Sequence, residues 1–131
     1  MQLLLENLTN PVATPENLLE ILRVGHFATV GICFDVAHAH LTSSVAEAFE
    51  LLAPRIKELH LHDNHAHDGG RGDEHLWPGS GSIDWKALCA AVQTLPPETI
   101  GMFEISYDAE NSSDIATRYR AAIELVAGRE A

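Results

Sequence analysis

Four short apolar runs in this chain stop at a side chain that can hold a divalent cation. QLLL ends at Glu6, GICF at Asp35, ELHLHDN carries His60 and His62, and IGMF ends at Glu104. Carboxylates brought together repel one another and resist ionisation unless a proton or a cation sits between them. Three carboxylates and one imidazole make an oxygen-rich donor set that suits Mn, Mg or Co and also accepts Zn. His60 and His62 point the same way along a strand, because strand side chains alternate, so either can supply the imidazole. One carboxylate at a strand end is ordinary; four consecutive strand ends that all carry an ionisable group point to a site.

Five of the eight histidines fall between residues 56 and 85, and not all of them need do chemistry. Asp73 and His75, in GDEHLWPG, form a second potential ligand pair. His65 and His67 lie in a polar loop and read as solvated residues, and His26 and His40 as helix-end or loop residues. Trp77 and Trp85 read as packing residues, Trp77 within a segment placed to cover the site. Cys33 is expected to alternate away from the neighbours of Asp35 and to act as a small buried hydrophobe, like Cys89 on the apolar face of a helix.

The elements that must position these groups follow from periodicity. MQLLLEN, VGICFDVAH, IKELHLHDN and IGMFEIS read as strands. TPENLLEILRVG, with a Thr cap and Pro at the first helical position, reads as the first helix. LTSSVAEAFELLAPR, SIDWKALCAAVQTL and SSDIATRYRAAIELVAG, the last with a Ser cap, follow at helical spacing. Four strand–helix units in succession predict an α/β fold with parallel strands, and ligands bind at the carboxyl ends of such strands. The one extended loop, residues 63–81, is of a length usually tied to function. Gly79 and Gly81 are expected to allow unusual backbone angles there, with Ser82 or Asp84 capping the next helix.

At 131 residues, 46% of them hydrophobic, the chain reads as a single domain spanning 1–131 with a real core. Nineteen acidic against eight scattered basic residues, a net charge of -11, argue against nucleic acid as a partner. The longest apolar stretches are strand-sized and interrupted by charge, so no membrane association is expected. Two cysteines without a CxxC pair or a secretory pattern indicate a reduced, cytoplasmic protein.

The motifs LLLEN, FDVAH, HLHD, DEHLWPGSGSIDW and FEIS, in this order, resemble the C-terminal half of the xylose-isomerase-like (β/α)8 barrels. That family includes sugar and sugar-phosphate isomerases and epimerases and metal-dependent apurinic endonucleases. The resemblance covers essentially the whole chain. It implies Glu6, Asp35, His60 and Glu104 as ligands of a Mn, Mg, Co or Zn ion. His60 is preferred over His62 because an acid, Asp63, follows it by three. The resemblance further implies Glu6 and Glu104 as acid/base residues, His38 as a hydrogen-bonding and catalytic contact, and His62 and His75 as further substrate contacts. Asp73 and His75 match the segment that binds additional zinc in the endonuclease branch. The activity so implied is isomerisation or epimerisation of a sugar, sugar phosphate or polyol through a metal-stabilised enediolate. A non-catalytic metal-binding domain is the alternative, and an endonuclease ranks behind it for want of a cationic groove.

A complete barrel takes about 250 residues, so four units amount to half of one. The first and last strands of such a half expose unpaired backbone edges. Either a second copy pairs edge to edge, or a separate N-terminal half closes the barrel.

Overall fold

The structure is a computed structural model that describes residues 1–66, 72–106 and 114–129. Its strands β1 (Leu4–Glu6), β2 (Gly31–Asp35), β3 (Ile56–Leu61) and β4 (Ile100–Phe103) form one sheet in the order β1-β2-β3-β4. Every adjacent pair is parallel. The helices between and after them are α1 (Pro15–Val24), α2 (Val36–Thr42), α3 (Val45–Leu52), α4 (Trp85–Val92) and α5 (Ile115–Val126). Sequential parallel strands joined by helices, left open at both ends, constitute half of a (β/α)8 barrel.

Strand alternation divides the sheet into two faces. Leu5, Ile32, Phe34, Leu59, Leu61 and Phe103 pack with Leu18 and Leu22 of α1, Phe49 and Leu52 of α3 and Trp85 and Leu88 of α4. Phe34 meets Phe49 edge to face at 5.7 Å, and each fully buried aliphatic or aromatic side chain here contributes roughly 1.5–3 kcal/mol. The opposite face carries Glu6, Cys33, Asp35, Glu58, His60 and Glu104, the side that would line a barrel interior. Ile100 and Met102 on this face are 59% and 39% exposed, because among the described residues nothing closes over them.

The register is irregular at one point. Ile32 lies opposite Ile56, but Cys33 lies opposite Glu58, so Lys57 is skipped and Asp35 comes to lie beside His60. That step aligns the row of β3 that carries Glu58 and His60 with the row of β2 that carries Cys33 and Asp35.

Local chemistry sets the helix starts. Thr14 accepts a hydrogen bond from the Asn17 N–H and Pro15 occupies the first helical position of α1. The second helical region departs from the expected single helix. The strand stops at Asp35, whose carboxylate accepts the His38 N–H at 2.7 Å and starts α2 directly. Val36, Ala37 and His38 are therefore helical rather than the end of a strand, and Ser44 restarts the chain as α3. A capping carboxylate at the end of β2 outweighs the β-favouring composition of the residues that follow. At α4 the cap is Asp84, which accepts the Ala87 N–H, while Ser82 Oγ donates to the Asn64 carbonyl. The serines expected to cap α5 lie outside the described residues, as does His67.

Candidate metal centre

The four strand ends converge on one imidazole nitrogen. His60 Nδ1 lies 3.4 Å from Glu6 Oε1, 3.5 Å from Glu104 Oε1 and 3.7 Å from Asp35 Oδ2. The nitrogen is buried and makes no hydrogen bond. Glu6, Asp35 and His60 also present donor atoms within 4.8 Å of one another. Around an ion with bonds of ~2.1 Å, neighbouring donor atoms sit about 3.0–3.4 Å apart. The observed spacings are close to such a shell, and the nitrogen forms no hydrogen bond across them. An orphaned nitrogen facing three carboxylates fits a divalent cation.

Electrostatics shows the same strain. Burial raises the Glu6 carboxyl above its ordinary value, with Asp35 and Glu104 adding to the effect and His60 and His38 opposing it. Burial also works against ionisation of Asp35, but the imidazoles of His60 and His62 overcome it and hold that carboxyl well below the usual range. His60 is pushed up to about 9, by Asp35 first and against the effect of burial, then by Glu104 and Glu6. Without a cation, a proton on His60 takes its place.

Asp35 is fixed from several sides. Asn7 Nδ2 donates to the Asp35 carbonyl and Asn7 Oδ1 accepts the Asp35 N–H, both at 2.8 Å. His62 Nε2 lies 3.0 Å from Asp35 Oδ2. His62 is fully buried, and its ring stacks flat on His75 at 4.0 Å with 2° between the planes. Its Nδ1 has no hydrogen-bond partner.

A second group of donors stands beside the first. Asp73 Oδ2 is 3.0 Å from His38 Nε2 and 3.0 Å from His75 Nε2. The other nitrogen of each ring is committed to a backbone carbonyl, His38 Nδ1 to Asn7 O and His75 Nδ1 to Glu104 O, each at 2.9 Å. A neutral imidazole that donates through Nδ1 presents only a lone pair at Nε2. Two lone pairs facing one carboxylate oxygen call for two protons or one cation. His75 holds this position with a left-handed backbone, φ 51°, a conformation that costs a non-glycine residue energy and collects at functional sites.

The loop bearing Asp73 and His75 is anchored by Asp63. Its carboxylate accepts N–H groups from Asn64, Gly79 and Ile83 and the indole N–H of Trp85, the last at 2.7 Å. Its backbone pairs with Leu76 in an antiparallel bridge. Gly79 has φ 85°, whereas Gly81 is required for space: a Cβ there would lie 2.3 Å from Asn64 O and from Asp63 Oδ1. Asn64, fully buried, donates to the Ala37 carbonyl. Strand position alone indicated neither Asn7 nor Asn64; for Asn7 the signal available was a polar residue directly after the strand-end glutamate.

Of the quieter expectations, those for Cys33 and His65 resolve differently, and those for Trp77 and Cys89 hold. Cys33 lies on the same face as Asp35, near Glu58 and His60, because residues two apart on a strand share a face. Burial, then the surrounding carboxylates, push its thiol far up. His65 is paired with Glu74 at 3.1 Å rather than simply solvated, and His40 meets Ser82 Oγ at 2.9 Å. Trp77 packs edge to face on Tyr119 of α5 at 4.8 Å, and the Cys89 thiol donates to the Leu125 carbonyl.

A half barrel whose strand ends gather carboxylates and imidazoles defines an α/β barrel protein with a candidate site at the carboxyl ends of its strands. Comparison with known proteins is specific: residues 1–127 match the model of the xylose isomerase-like TIM barrel family, and the chain belongs to that family. An uncharacterised protein of Methanocaldococcus jannaschii is 32% identical over 123 residues, covering 89% of this chain and 41% of that protein. A crystal structure of a D-tagatose 3-epimerase-like protein superposes with a TM-score of 0.67 at 27% identity, covering 97% of this chain and 50% of the other. The TTHB071 protein of Thermus thermophilus, solved after soaking with zinc chloride, superposes at 0.62 with 28% identity, covering 98% of this chain and 45% of the other. The chain thus spans half or less of the length of the proteins it matches. Among the described residues, no helix is long and apolar enough to cross a membrane.

Proposed function

We propose that the chain forms the metal-binding half of a sugar or sugar-phosphate isomerase or epimerase, with Glu6, Asp35, His60 and Glu104 as ligands. The observation that carries this reading is the buried, unpartnered His60 Nδ1 between three carboxylates. The resemblance to a D-tagatose 3-epimerase-like protein supports the sugar chemistry. A divalent ion held there supplies positive charge to polarise a hydroxycarbonyl substrate and acidify the hydrogen on the adjoining carbon.

The chain's own residues do the rest. Glu6 and Glu104 stand on opposite edges of the sheet, on β1 and just after β4, and serve as the proton acceptor and donor for the two sides of a sugar. Both are partly open, with side-chain exposures of 31% and 33%. His38 and His75 sit beside them and supply hydrogen bonds to substrate oxygens. Full burial gives His62 the task of holding Asp35. The open edges of β1 and β4 are covered by four further strands, from an N-terminal half or a second copy. The two free, buried thiols suit a cytoplasmic location.

A second reading draws on the Asp73 group. Lone pairs of His38 and His75 directed at one Asp73 oxygen favour a second cation, as in a two-metal enzyme. The acidic composition keeps a sugar ahead of nucleic acid as substrate.

Calorimetric titration of the metal-free chain with Mn, Co and Zn tests both readings. One tight site lost in Glu104→Gln and His60→Ala supports the main centre, and an additional Zn site lost only in Asp73→Asn supports the second. Absence of binding rejects the metal reading. Solvent-hydrogen exchange into ketoses or their phosphates then separates an enzyme from a domain that only binds metal.

A further inference from the structure

We infer that Glu58 is a positioning residue for the metal-ligand histidine, holding the proton of His60 on Nε2 so that Nδ1 faces Glu6, Asp35 and Glu104 with its lone pair. This rests on the metal reading above and deepens it.

Glu58 and His60 are two apart on β3 and project from the same face. Glu58 Oε1 lies 3.5 Å from His60 Nε2, and among the described residues it is the carboxylate within 4.0 Å of that nitrogen. The arrangement is directional: one nitrogen faces the ligand carboxylates and the opposite one faces Glu58.

A neutral imidazole carries one proton, and three carboxylates around Nδ1 draw it to the wrong side. A carboxylate across the ring offsets that pull, fixes the tautomer and makes the ligand nitrogen more basic. The neighbouring Cys33, with its donor atom in the same group, cannot replace Glu58, since sulfur is a weak acceptor. Register locks the geometry, because Glu58 is held between Cys33 on β2 and Ile100 on β4.

The test uses Glu58→Met, which keeps the bulk and removes the carboxylate, and Glu58→Gln, which restores an acceptor. Co binding is followed by calorimetry and by visible absorption, and the protonated nitrogen of His60 is read from long-range 1H–15N spectra of the metal-free protein above pH 9, where the ring is neutral. Glu58→Met is expected to weaken Co binding about 10–100-fold and to move the proton off Nε2, with Glu58→Gln recovering most of both. Unchanged affinity and tautomer in Glu58→Met would overturn the role of Glu58 while leaving the metal centre intact. Equal losses in both variants, with a lowered melting temperature of the metal-free protein, would also overturn it, as a packing effect. A wild-type chain that binds no Co overturns the metal reading itself.

Discussion

His60 carries the most legible chemistry at the scale of single residues, and its ionisation gives a direct expectation. Its value in the fold, about 9, is raised from 6.5, so the charged form stabilises the metal-free protein. That contribution is complete below about pH 6.5 and is lost as pH rises through 9. On the metal reading a cation competes with the same proton, so Mn or Zn affinity should climb as pH rises toward 9 and then level off, with proton release measurable by calorimetry in two buffers. Asn7 gives a second expectation. Asn7→Ala removes both side-chain bonds to the Asp35 backbone and should cost about 1–3 kcal/mol in urea unfolding while weakening metal binding. The convergence of Glu6, Asp35, His60 and Glu104 was readable because each lies at the end of an apolar run. Asn7 and the committed Nδ1 atoms of His38 and His75 were not, because their partners are backbone carbonyls and amides that no side-chain pattern records.

At the scale of elements, the four strands and their parallel order followed from periodicity, and the departures came from capping and space. Asp35 ended β2 and opened α2 in one step. Asp63, expected as a marker of the metal histidine, instead gathers four N–H donors and seats the segment that carries Asp73 and His75. Asp63→Ala leaves those donors unmet and should loosen that segment, lowering the melting temperature and giving faster amide exchange at Gly79 and Ile83. Gly81→Ala forces a methyl group against the Asn64 carbonyl and should destabilise the fold by about 1–3 kcal/mol by thermal or urea denaturation. Nothing in the residue spacing separates the two glycines; their different reasons, a left-handed angle at Gly79 and a close approach at Gly81, emerge only from the tertiary arrangement.

For the molecule as a whole, the open sheet is the dominant fact. Ile100 and Met102 face the interior side of a barrel that four strands leave unclosed, and both edges present unpaired backbone groups. The isolated chain should therefore associate, and Ile100→Lys, which places a charge on that interior face, should shift sedimentation toward monomer. A co-expressed N-terminal half that displaces the self-association would identify the other source of the closing strands. The acidic excess and the four strand–helix units were plain from composition and periodicity; what covers the edges is not encoded by any pattern in these residues.

The skipped Lys57 bears on how such a protein is assembled correctly. Were Cys33 to continue the pairing begun by Ile32 and Ile56, Asp35 would stand across from Leu59, and the row of donors on β3 would turn its back on the row on β2. Hydrophobic burial opposes that slip, because it would turn Leu59 and Leu61 away from the core beneath the helices. A cation held by the four proposed ligands would add to that selection, since only the observed alignment presents them together. On the metal reading, uptake would then also be a proofreading step, in which the ion verifies the threading of the strands before the molecule is put to use.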